Sequence, residues 1–111
     1  ILFGDNDGDM YLAVKELIRP QYGYTLVENG SVYETLPLPV MGLMSDAGYE
    51  TVNAVLKRMI RKAHEMGVRE GFDPFITLSF MALPVIPEIR ITPRGVYLVK
   101  EDRMLRTPFD L

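Results

Sequence analysis

The stretch FITLSFMALPVIPEIRIT, residues 75–92, is largely apolar, yet it holds Pro84 and Pro87, and Pro93 follows at once. Apolar content of this kind belongs in a core. Proline has no N–H to give to a ladder, so a central strand does not accommodate it. The pattern predicts two strands, near 75–82 and 88–92, bent around Pro84–Pro87. The preceding FDPF, residues 72–75, reads as a turn. A second run of the same character, LPLPVMGLMSD at 36–46, carries Pro37 and Pro39. There Met41, Leu43 and Met44 around Gly42 suggest a buried, bent connection. Proline-broken apolar segments of this sort suit strand ends that rest as docking walls on another layer.

Outward from these runs the periodicities are clearer. Residues 1–3 read as the end of a buried strand. In GDNDGDM, residues 4–10, Asp5 or Asn6 can cap a helix, and Asp7 and Asp9 place negative charge in its first turn, where the backbone dipole favours it. Met10, Ala13, Val14, Leu17 and Ile18 then mark one helical face, and Pro20 ends the helix. YTLVENGSVYETL, residues 24–36, predicts a hairpin turning at Asn29-Gly30. A long helix is expected over 46 to about 66, striped by Val52, Val55, Leu56, Met59, Ala63 and Met66 and stopped by Gly67. VYLVK, residues 96–100, reads as a last strand, and RTPFDL, residues 106–111, as a wrapped end. The order predicts an α+β fold, with mixed or antiparallel sheet layers flanked by two helices.

Composition narrows the function classes. The 111 residues suit one domain. A net charge of −3 gives no electrostatic footprint for nucleic acid. No apolar run is long enough to span a bilayer. There is no cysteine, which removes thiolate chemistry and disulfides. The first residues show no basic region followed by a long apolar one, and a cytoplasmic setting is the expectation. The chain opens on Ile1-Leu2-Phe3-Gly4, as if a strand were entered midway, which suggests a piece of something longer.

The chemical inventory is thin. His64 is the single histidine, and beside Glu65 it reads as a surface residue near a helix end. Ser31, Ser45 and Ser79 have no local base to activate them. Asp5, Asp7 and Asp9 have the spacing of a calcium loop with Glu16 at its twelfth position. Met10, however, stands where the loop needs glycine, and a regular helix follows. Lys57, Arg58, Arg61 and Lys62 form a basic cluster that could take an anion but reads first as a solvated face. The candidates for a site are Asp5, Asn6 and Asp7, at the entry to the first helix.

LPLPVMGLMSD and DPFITLSFMALPVIPEIRIT, residues 73–92, closely resemble the C-terminal domain of the bacterial and archaeal adenine deaminases, members of the metal-dependent amidohydrolase superfamily. GDNDGDM with Ala13-Val14 is similar to that family's Gly-Thr-Asn-Asp-x-Asp-Met-x-x-Ala-Val. The resemblance covers residues 1 to about 100. It departs at Pro20-Gln21-Tyr22-Gly23-Tyr24, at Thr92-Pro93-Arg94-Gly95, and at Met41, where the family has a small residue. It implies that the chain is the second half of a larger layered C-terminal domain. The first half and the amidohydrolase barrel would be its partners, with a His-Asp-x-His-Asn motif just before Ile1. The implied reaction takes adenine and water to hypoxanthine and ammonia, with a metal-activated hydroxide. The divalent metal (manganese, iron or zinc) would be bound in the parent and not by this chain, which alone would be inactive. Asp5, Asn6 and Asp7 would act indirectly, by positioning. A homo-oligomer is expected. The alternative is a stand-alone small-molecule-binding or dimerisation module without catalysis.

Overall fold

The computed structural model describes residues 1–105. They fall into two units, Leu2–Phe72 and the residues from Asp73 onward. The tail at 106–111, expected to wrap the domain, lies outside the described residues. The architecture is α+β, with helices and two small antiparallel sheets in the order α-β-β-α-α-β-β-β.

In the first unit, α1 spans Asp7–Ile18 and is capped by Asn6, whose side chain accepts the Asp9 N–H. Its C-cap is Arg19, so the helix stops before Pro20. Strands β1 (Gly23–Glu28) and β2 (Ser31–Pro37) pair antiparallel around Asn29-Gly30. Asn29 has φ 52° and Gly30 φ 73°, the left-handed pair that a two-residue hairpin turn requires. The register shifts between Leu26 and Val27, so Tyr33 is an extra residue on β2. Helix α1 lies against both strands, and α2 (Tyr49–Glu65) against β2. Ala13, Leu36, Leu38, Met59 and Ala63 are the buried apolar residues of this unit, with Met59 at 0% exposure.

Helix α2 begins three residues later than the sequence suggests. Gly48 stands at φ 83° as its N-cap, outside the helical region, and Ser45 Oγ accepts the Ala47 N–H in the bend before it. It ends in a two-bond αL stop at Gly67: the Val68 N–H donates to Ala63 O and the Gly67 N–H to His64 O. Two expectations fail here. Residues 1–3 form no strand, and Phe3 is 86% exposed. The 40–44 segment is bent but not buried, since Met41, Leu43 and Met44 all face solvent.

The second unit corrects the reading of the opening stretch. Residues 74–81 are a helix, α3 (Pro74–Met81), not a strand. Asp73 caps it, its Oδ1 accepting the Phe75 and Ile76 N–H groups at 2.9 and 3.1 Å. Pro74 occupies the first turn, where the missing N–H costs nothing. Thr77 and Ser79 return their hydroxyls to Asp73 O and Phe75 O, satisfying themselves inside the helix. The turn at Pro84–Pro87 stands as expected, with the Ile86 N–H on Leu83 O. Strands β3 (Ile89–Thr92), β4 (Gly95–Leu98) and β5 (Arg103–Met104) form an antiparallel sheet in that order. The strand expected over 96–100 stops at Leu98, and a 3-10 turn at Val99–Glu101 turns the chain toward β5. Phe75, Leu98 and Leu105 are buried. The described residues thus carry three α-helices where two were expected, and their sheet pairing is antiparallel throughout.

Candidate functional site

Asp5, Asn6 and Asp7 sit together at the start of α1, all three exposed. Asn6 organises the group. Its Oδ1 accepts the Asp9 N–H at 2.8 Å, and its Nδ2 donates to Asp5 Oδ1 at 3.1 Å and Asp9 Oδ2 at 3.2 Å. The side chain is therefore fully engaged in holding the turn, and Asp5 and Asp7 are the carboxylates left facing outward.

Asp9, read from the sequence as a helix-dipole charge and as one position of a rejected calcium loop, has a larger task. Its two oxygens accept the Gly30 N–H at 2.7 Å and the Asn29 N–H at 3.0 Å, which fastens the tip of the hairpin to the head of the helix. The Gly30 bond first and then Asn6 hold its carboxyl below the usual range against the opposing effect of burial, with a lesser contribution from Asn29. One turn pair further along, Glu16 accepts from Thr35 Oγ1 at 2.9 Å, and Thr35 Oγ1 lies 2.9 Å from Thr25 Oγ1. Arg19 also donates to Glu16 and, with Thr35, lowers its pKa. Asp9, Ala13 and Glu16 share one face at i, i+4 and i+7. That spacing, an acid at each end of a buried alanine, was the available signal for a helix fastened to a hairpin at two points.

The remaining candidates are accounted for by local structure. His64 is half-buried and its Nδ1 lies 3.0 Å from Val68 O, across the stop of α2. Of the basic cluster, Arg58 is paired with Glu34, and Lys62 reaches Glu28 at 2.7 Å and Glu65 at 3.8 Å. Arg58 and Lys62 thus bind the chain's own hairpin. In the second unit an open cleft of about 260 Å³ is lined by Glu88, Ile89, Leu98, Lys100, Glu101 and Arg103. Its charges pair internally, Lys100 with Glu88 and Arg103 with Glu101. Among the described residues no group of three or more His, Cys, Asp or Glu side chains could hold a metal ion. No helix among the described residues is long and apolar enough to cross a membrane.

The described residues thus form a small α+β fold with a structured acidic turn at the head of α1. Residues 1–103 match the family model of the adenine deaminase C-terminal domain, and the chain belongs to that family. It is 54% identical over 106 residues to an adenine deaminase of Desulfitobacterium hafniense, covering 96% of this chain and 19% of the relative. It is 45% identical over 106 residues to one of Clostridium acetobutylicum (95% and 19%) and 44% over 100 residues to one of Bacillus subtilis (90% and 17%). The chain spans about a fifth of the length of the curated relatives it matches.

Proposed function

We propose that this chain is the second half of the C-terminal domain of an adenine deaminase, which hydrolyses adenine to hypoxanthine and ammonia. Water adds at C6 of the purine and the C6 amine leaves as ammonia. The match of residues 1–103 to the family, with relatives of that name along nearly the whole chain, supports the reading. A divalent metal (manganese, iron or zinc) would supply hydroxide at neutral pH by lowering the pKa of its bound water. Its ligands would lie in the amidohydrolase barrel, outside this chain. The chain's task is support of that barrel, within a cytoplasmic homo-oligomer.

Asp5, Asn6 and Asp7 would border the site as positioning residues. Asn6 holds the Asp5 carboxylate through Nδ2 while capping α1, so the two roles can be separated by substitution. Ser is as good an N-cap as Asn, whereas Ala costs about 1 kcal/mol. In the full-length protein Asn6→Ser should keep the cap and bound metal but lower kcat/KM for adenine, because the amide donor to Asp5 is gone. Asp5→Asn should do the same. Wild-type kinetics in both variants would remove the bordering role. A full-length protein that releases no ammonia from adenine but does so from another purine would change the substrate.

A further inference from the structure

The turn at 40–44 is an anomaly of composition and conformation together. Turns are ordinarily made by Gly, Pro, Asn, Asp and Ser. Here Val40, Met41, Leu43 and Met44 surround Gly42, and Met41, Leu43 and Met44 are 83%, 63% and 59% exposed. Polar residues would turn the chain equally well, so the turn itself does not explain the apolar tip.

The segment is also held firmly. The Val40 N–H donates to Met44 O at 3.1 Å and the Met44 N–H to Val40 O at 3.2 Å. The Leu43 N–H reaches Val40 O at 3.0 Å, and the Gly42 N–H reaches Leu38 O at 3.1 Å. The foot of the turn is Leu38, buried, with its own N–H on Tyr22 O at 3.0 Å. The Tyr22 ring lies under Gly42, where a Cβ would stand 3.2 Å from it. Met41 sits at φ 56° and Gly42 at φ 72°. A long side chain in the left-handed region is unfavourable and persists where its surroundings fix it.

A rigid foot with a greasy tip is the form of a preorganised contact, one whose ordering cost is met before binding. We propose that the Val40–Met44 turn is an apolar plug that inserts into the rest of the parent polypeptide. The occupant of choice is the same chain, because these residues span about a fifth of their relatives' length and roughly four-fifths of the parent remains to receive them. This rests on the reading of the chain as part of an adenine deaminase. Its test reads coverage, not turnover, so the two can fail separately.

The test is peroxide footprinting of the full-length protein, with methionine sulfoxide measured residue by residue in native and denatured states. Oxidation follows exposure, and Met59, wholly buried, is the internal standard of protection. Met41 and Met44 are expected to oxidise at least tenfold more slowly in the native than in the denatured protein, at every protein concentration. Oxidation of both at the denatured rate would overturn the proposal. Protection that vanishes on dilution would also overturn it, by assigning the site to a second copy. Gly42→Ala, which disturbs the turn over Tyr22 while keeping its apolar residues, is expected to raise the oxidation of Met41 toward the denatured rate.

Discussion

The two proline-broken apolar runs look alike in the sequence and fold differently. Residues 36–44 finish a strand, bury Leu36 and Leu38, and close a tight turn with Met41, Leu43 and Met44 outward. Residues 73–81 enter a helix. The difference lies in where proline falls relative to a capping group. Pro37 and Pro39 alternate, which forbids a helix and leaves a strand end followed by a turn. Pro74 follows Asp73 directly, and the next seven residues are free of proline, so the same residue type opens a helix and does not break one. Proline counts say little, whereas proline position beside an N-cap says a great deal.

The sharpest way to break this comparison is to move a proline inward. Thr77→Pro removes the N–H that bonds to Asp73 O and drives a ring into the first turn of α3. It should cost about 3 kcal/mol or more, read as a lowered urea midpoint and lost ellipticity at 222 nm. An unchanged midpoint would mean that residues 74–81 are not held as a helix. A smaller effect is expected at the cap. Asp73→Ala leaves the Phe75 and Ile76 N–H groups without their acceptor and should cost about 1 kcal/mol. Asp73→Asn should restore most of it, and equal losses in both variants would argue against capping.

The smallest effect concerns Asp9. Its folded pKa lies below the unfolded value, so its contribution is complete above the unfolded pKa of about 3.9 and is lost as pH falls through the lower folded one. The Gly30 amide resonance should titrate with a midpoint below the ordinary carboxylate range, and Asp9→Asn should abolish that titration. A midpoint at or above the ordinary value would contradict the clamp.

These contrasts also show what could be read before the structure. A cap at Asp5 or Asn6, which the structure gives to Asn6, the Asn29-Gly30 turn and the stop at Gly67 were legible because each is a local rule written in adjacent residues. Strand β3 was legible from its Ile-Arg-Ile-Thr alternation before Pro93. Helix α3 was not, because its side chains are apolar or small on every side and show neither period 3.6 nor period 2. Its start signal, Asp73-Pro74, is shared with turns. Strand β5 is two residues long and leaves no pattern. At the acidic turn the composition was visible, but the fastening of Asp9 to Gly30 joins residues 21 apart and is a tertiary fact. The apolar content of 40–44 pointed to burial, whereas hydrogen bonding of the turn keeps those side chains outward.

The proposed role of these residues is to support an aminohydrolase without carrying its chemistry. It is tested most directly by ammonia release from adenine and bound metal, measured side by side for the full-length protein and for residues 1–111 alone. The full-length protein is expected to hold metal and release ammonia, and the 111 residues to do neither. Adenine turnover, or a stoichiometric metal ion, in the 111 residues alone would contradict it.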